Sequence, residues 1–158
     1  MVSAWGGEPV QLESLDVGKC SIGNAGCASL MAALAISCSY LVELKLPRNG
    51  LGIMDGGHAA FTAELNTFVR DGACELHVID LSYNSLTLVH VDSLLWAYGH
   101  AKPNPTLRYL DLSWNNLGNP GAMARPRTFL RGCVLNRLTL ALPAAAPATT
   151  LALSRHHC

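Results

Sequence analysis

An α/β fold made of stacked strand–helix units is the class the sequence predicts, and three observations predict it. The 158 residues are half hydrophobic, yet only 6% are aromatic, and leucine alone accounts for 26 of them. One leucine-centred phrase returns five times along the chain. After each of the first four returns, apolar residues recur at helical spacing.

The phrase is L-x-x-L-x-L-x-x-N/C-x-L. It reads Leu12, Leu15, Val17, Cys20, Ile22 in the first copy and Leu41, Leu44, Leu46, Asn49, Leu51 in the second. The third copy is Leu76, Ile79, Leu81, Asn84, Leu86, and the fourth is Leu107, Leu110, Leu112, Asn115, Leu117. The fifth keeps Leu135, Leu138 and Leu140 but runs into Leu142 and Pro143, losing the Asn and the last Leu. Starts at 12, 41, 76, 107 and 135 are 29, 35, 31 and 28 residues apart. Repetition at a period of this size signals units that bury their apolar faces against one another.

Each position has a physical reason. The x-L-x-L alternation has period two, so both leucines point to one side of a short strand. The flanking leucines turn the chain inward at either end. The Asn sits where the chain leaves the strand, and a buried carboxamide there pairs backbone groups that the turn would orphan. Cys20 fills the first such slot as a smaller, weaker substitute.

The second half of each unit is helical. After Ile22 come Gly23-Asn24-Ala25-Gly26-Cys27, then Leu30, Met31 and Leu34. After Leu51 come Gly52, Gly56 and Gly57, then Ala60, Phe61, Leu65 and Phe68. The glycines suit a tight entry into a helix packed closely on the strand layer. The third unit has no glycine entry, and its helix runs through Val91, Leu94, Leu95 and Tyr98 to end near Gly99. Residues 100–106 form a Pro-rich turn into the fourth strand. In the fourth unit Pro120 fits a helical first turn, whereas Pro126 should kink or shorten the helix that reaches Phe129 and Leu130.

The predicted organisation is an N-terminal segment 1–10, a repeat domain 11–142 of about five units, and a flexible Ala/Pro-rich tail 143–158. Trp5 and Val10 are candidates to cover the first unit. An uncovered final strand would be a pairing hazard, so a fragment of a longer array is expected over a chain whose end a partner covers.

Composition excludes several functions. Hydrophobicity this high excludes disorder over most of the chain. Eleven basic residues balance eleven acidic ones, so no nucleic-acid partner bound by broad phosphate neutralisation is expected. The start lacks a basic region followed by an apolar run, so no signal peptide is read there. The charge-free stretch from Cys20 to Val42 is long enough for a span, but its serines, glycines and Asn24 break the apolar run, so no membrane partner is expected. A cytoplasmic protein is the resulting expectation. The six cysteines show no metal-finger spacing and read mostly as buried small hydrophobes.

The phrases SLDVGKCSIGNAGCASLMAAL and LRYLDLSWNNLGNPGAMA resemble leucine-rich repeats of the ribonuclease-inhibitor type. The resemblance spans roughly residues 10–142. It implies a right-handed β/α solenoid, a leucine-rich repeat horseshoe with a parallel concave sheet and outer helices. Members of that family mostly bind other proteins. A protein partner, and no small-molecule substrate, is therefore expected.

The residues between the leucines face away from the core, onto the concave sheet, in four ladders. The first is Ser14, Glu43, Val78, Tyr109, Arg137; the second is Asp16, Lys45, Asp80, Asp111, Thr139. The third is Gly18, Pro47, Ser82, Ser113, Ala141; the fourth is Lys19, Arg48, Tyr83, Trp114, Leu142. Tyr, Trp and Arg dominate interface energetics, and Tyr83 and Trp114 fall on neighbouring strands about 5 Å apart. The candidate binding residues are Asp16, Glu43, Lys45, Arg48, Asp80, Tyr83, Tyr109, Asp111, Trp114 and Arg137. The stacked carboxylates Asp80 and Asp111 repel unless Lys45 or a basic partner offsets them; exposure alone also explains an Asp in L-D-L-S. Tyr83 and Trp114 have a second reading, as packing on the neighbouring loop, and Lys45 and Arg48 as solvated charges.

No GxSxG, HExxH, Walker A or GxGxxG motif is present. The histidines at 58, 77, 90, 100, 156 and 157 are not expected to converge, so no metal, cofactor or catalytic site is predicted. Arg48 is the nearest candidate for the arginine of a GTPase activator, without the surrounding motif. An enzyme regulator, either an inhibitor or such an activator, is the alternative function; a truncated copy without independent function is a third.

Overall fold

The computed structural model describes residues 11–71, 76–99, 107–117, 137–140 and 149–152. Strand and helix alternate through β1 (Ser14–Asp16), α1 (Gly23–Ser37), β2 (Glu43–Lys45), α2 (His58–Asp71), β3 (Val78–Asp80), α3 (Leu88–Gly99) and β4 (Tyr109–Asp111). β5 (Arg137–Leu140) and β6 (Thr149–Ala152) follow. The strands lie side by side in chain order in one sheet, parallel from β1 to β5. The register is unbroken: Leu15 pairs with Leu44, Leu44 with Ile79, Ile79 with Leu110 and Leu110 with Leu138. This is an α/β repeat fold, with the expected strand segments as parallel neighbours.

Period two on the strands and near-four on the helices place the apolar residues in one cluster. Leu44, Leu46, Ile79, Leu81, Leu110 and Leu112 are buried with Met31 of α1, Phe61 and Phe68 of α2, and Val91 and Leu94 of α3. Helices therefore cover one face of the sheet. In the first unit Leu12, Leu15, Val17 and Ile22 are only partly buried, because no described residue lies outside β1. Ala60, expected on the inner face of α2, is exposed; Phe61 occupies that face instead. Cys27 and Cys38 are buried as expected, but Cys20 is exposed, since its slot is on the outermost unit. Among the described residues no helix is long and apolar enough to cross a membrane.

The buried asparagines sew one unit to the one before. Asn49 Oδ1 accepts from the backbone N–H groups of Cys20 (3.1 Å) and Ile22 (3.3 Å), and its Nδ2 donates to the Val17 carbonyl (3.0 Å). Asn84 repeats this one unit on. It accepts from Asn49 (2.9 Å) and Leu51 (3.1 Å) and donates to the carbonyls of Leu46, Leu81 and Ser82. Asn115 accepts from Leu86 (2.9 Å) and donates to Leu81, Leu112 and Ser113. Asn24 supplies a further bridge: it accepts from Gly52 N–H (2.8 Å) and donates to the Ile53 carbonyl and the Asp55 carboxylate. Gly52 needs its missing side chain twice over. Its φ is +82°, and a Cβ there would lie 2.8 Å from the Leu86 backbone.

Residues 149–152 lie in the stretch expected to be a flexible tail, and they differ from that expectation. Thr149–Ala152 runs antiparallel to β5, pairing Leu138 with Leu151 and Thr139 with Thr150. An antiparallel return needs no crossover helix, and two β-branched threonines suit a strand; the Ala/Pro composition around them masked this. The readings of residues 1–10, of the 100–106 turn, of the fourth helix with Pro120 and Pro126, of Leu135, Leu142 and Pro143, and of Cys74, Cys133 and Cys158 fall outside the described residues.

Truncating Asn84 leaves the buried N–H groups of Asn49 and Leu51 and the Leu46 carbonyl short of a partner, while the Leu81 and Ser82 carbonyls keep Asn115 and the Arg48 N–H. Each such group costs roughly 1–3 kcal/mol, softened by relaxation and water entry. Asn84→Ala should therefore lower the unfolding free energy by about 3–5 kcal/mol in denaturant titration.

Candidate functional site

The sheet face opposite the helices carries the candidate residues, and the register lines them up as the sequence predicts. Ser14, Glu43, Val78, Tyr109 and Arg137 are successive cross-strand partners, as are Asp16, Lys45, Asp80, Asp111 and Thr139. Backbone bonds continue the ladder past the strand ends, from Lys19 N–H to Pro47, Arg48 N–H to Ser82 and Tyr83 N–H to Ser113. Arg137 has its backbone on β5; its side chain lies outside the described residues.

A left-handed corner terminates each of the first four strands. Lys19, Arg48, Tyr83 and Trp114 have φ between 54° and 60°, a conformation non-glycine residues adopt at some cost. The corner turns the next residue, Cys20 or one of the Asn residues, into the core. It also throws its own side chain outward in line with its counterparts. Tyr83 and Trp114 stack with ring centroids 5.3 Å apart and planes 9° from parallel. The Arg48 guanidinium lies over the other side of the pair, 4.2 Å from the Tyr83 centroid. Both aromatic residues remain 41–43% exposed. Arg48 is thus a stacked cation, and the rings pack on each other while still facing solvent.

The aspartates have a local duty. Asp16 Oδ1 accepts from Gly18 N–H (2.9 Å), Asp80 Oδ1 from Ser82 N–H (2.8 Å) and Asp111 Oδ1 from Ser113 N–H (2.8 Å). Each closes the turn two residues on, as short acidic side chains do. In the second unit the residue two on is Pro47, which has no N–H to offer. Lys45 stands where no acceptor is needed. Pro47 also explains Gly18, where a Cβ would lie 2.9 Å from the proline ring.

Charge is unevenly settled across the face. On β1 and β2, Lys45 pairs with Glu43 at 3.0 Å and Ser14 Oγ donates to Glu43 at 2.8 Å. The Lys45 and Ser14 bonds hold the Glu43 carboxyl below its usual range, and the Glu43 bond raises the Lys45 ammonium. On β3 and β4, Tyr109 Oη donates to Asp111 Oδ2 at 3.1 Å. Among the described residues, no cation pairs with Asp80 or Asp111.

One expectation is corrected. His58 and His90 do converge: their rings meet edge to face at 4.6 Å, at 81°. They open α2 and α3, and the unit stacking lays those two helix starts together, which reading each helix alone does not show. The Thr87 N–H donates to His90 Nδ1 at 3.0 Å, closing the entry of α3 that lacks glycines. That bond keeps the His90 proton on Nε2, a buried atom without a hydrogen-bond partner. A neutral His90 in this state has no free ring lone pair for a metal. Among the described residues no cluster of three or more His, Cys, Asp or Glu could hold a metal ion.

Parallel strands, a buried side-chain amide at the exits of β2, β3 and β4, and helices on a single face define a repeat protein of strand–helix units. Residues 11–31 and 104–124, which contain the first and fourth phrases, match the family model described as Leucine Rich repeat. The chain therefore contains leucine-rich repeats at these two places. No curated protein matches it.

Two outcomes follow from this geometry. Asp111→Ala frees the Ser113 N–H and should cost about 1–2 kcal/mol in chemical unfolding, whereas Asp111→Asn, which keeps an accepting oxygen, should cost less than half of that. Burial, then the charge of His58, lowers the His90 pKa from its ordinary value near 6.5. The folded chain then binds a proton there less readily than the unfolded chain. Stability from this site is complete above about pH 6.5 and is lost as the pH falls below it. Thermal unfolding from pH 7.5 to 5 should show that decline, and His90→Gln, which can still accept from Thr87 N–H, should flatten it.

Proposed function

We propose that the protein is a protein-binding module whose contact surface is the concave face of a right-handed solenoid of about five ribonuclease-inhibitor-type units. The observation that carries this is the Arg48–Tyr83–Trp114 stack. Three side chains of the types that dominate interfaces stand in register, half-exposed, on a rigid sheet. Asp16, Glu43, Lys45, Asp80, Tyr109, Asp111 and Arg137 complete the surface. Preformed rings and short strands lose little freedom on binding, which favours affinity. The role is binding and not catalysis, and the setting is the cytoplasm.

Glycine is the right replacement for a test, because it accepts the left-handed corner without strain. Loss of the ring stack and relief of the corner are each worth about 1 kcal/mol and offset one another. Tyr83→Gly/Trp114→Gly should therefore stay folded, within about 1 kcal/mol of the parent. The same double variant should lose at least ten-fold in affinity for a partner captured by the parent chain. Undiminished binding would move the contact surface elsewhere.

A further inference from the structure

The open face divides into two unlike halves. On β1 and β2 the charges satisfy one another through Ser14, Glu43 and Lys45. On β3 and β4 the register partners Asp80 and Asp111 put two like charges on strands about 5 Å apart; neither has an ion pair among the described residues, and Lys45, the neighbour of Asp80 on the other side, pairs with Glu43. Each of these two strands then ends in an exposed ring, Tyr83 or Trp114. The ladder already demonstrates what such a ring accepts, because the Arg48 guanidinium lies over Tyr83 at 4.2 Å.

We infer that the β3–β4 half of this face binds an extended, arginine-bearing segment of a partner protein, with guanidinium groups set against Asp80 and Asp111 and over the exposed part of the Trp114 ring, since Arg48 and Trp114 already cover the two faces of Tyr83. This deepens the reading of the face as a protein-binding surface and rests on it. Arginine fits both features. Its planar fork gives parallel hydrogen bonds to a carboxylate, and its flat cation packs on an aromatic ring. Lysine offers a point charge without the planar match. Each Asp commits Oδ1 to its own turn, and Asp111 Oδ2 also accepts from Tyr109 Oη, so an incoming guanidinium takes Asp80 Oδ2 and the second lone pair of Asp111 Oδ2 and adds to a preformed geometry. Bringing a cation between two like charges also removes their mutual repulsion. Lys45 lies beside both Asp16 and Asp80 in the register, but Asp16 has no second carboxylate partner and its strand exits at Lys19 and not at a ring, so it repeats the turn geometry alone and provides an internal control.

The test uses three nine-residue peptides of alternating glycine and arginine, glycine and lysine, or glycine and glutamate. They are titrated by calorimetry into the full chain at 50 mM and 200 mM salt. The arginine peptide should bind at least five-fold more tightly than the lysine peptide, and more weakly at the higher salt. Asp80→Asn/Asp111→Asn keeps both turn acceptors and should weaken arginine-peptide binding at least ten-fold, while Asp16→Asn should change it less than two-fold. Equal binding of lysine and arginine peptides would overturn the assignment to arginine. Equal binding to the parent and the Asp80→Asn/Asp111→Asn variant, or no binding, would overturn the site. Binding of the glutamate peptide alone, lost in Tyr83→Gly/Trp114→Gly, would overturn the inference and leave the protein-binding reading of the face standing.

Discussion

A buried carboxamide at the exits of β2, β3 and β4 governs how one unit is laid on the next. Asn49, Asn84 and Asn115 each accept from backbone N–H groups of the preceding unit and return donors to carbonyls on both sides. Leucine burial supplies the larger share of the free energy, but it is non-directional. The amides fix distance and register, because a slip by one residue would leave several buried polar groups unpaired. Their inward direction in turn depends on the left-handed corner before them, at Arg48, Tyr83 and Trp114.

That corner links the core to the surface. The same backbone turn that drives the amide inward presents the preceding side chain outward, once per unit and at strand spacing. A ladder of corner residues is therefore a by-product of the core's demand for an amide. In this chain the ladder holds Lys19, Arg48, Tyr83 and Trp114, and the last three stack. Strand spacing near 5 Å is larger than the closest aromatic stacking distance but within the range over which rings attract. Part of the corner strain is offset by that contact, so a surface suited to binding is kept rigid at little cost to stability.

The strand segments and the inward amides were legible because the phrase repeats, and each position of the phrase has one physical duty. The four ladders were legible for the same reason: period two and a constant offset leave no freedom in which residues align. The duty of the aspartates is written in the sequence as well. An Asp followed two residues later by a residue with an N–H reads as a turn acceptor, and the exception, Lys45 before Pro47, obeys the rule. The His58–His90 contact was not legible, since it depends on how far apart two helix starts lie after stacking. The Thr149–Ala152 strand was hidden by the small-residue composition around it, which says little about whether an edge is free to pair. Which half of the face has its charge settled was also out of reach, because the Glu43–Lys45 pair is a matter of side-chain direction.

The most direct measurement of the amide ladder is backbone hydrogen exchange of the native chain, followed residue by residue by nuclear magnetic resonance. The N–H groups of Cys20, Ile22, Asn49, Leu51 and Leu86 lie outside helices and strands, and each donates to an Asn side chain. They should exchange as slowly as the central strand amides, opening only with global unfolding. Exchange at the rate of exposed loops, with the strand amides still protected, would contradict the claim that these carboxamides hold successive units together.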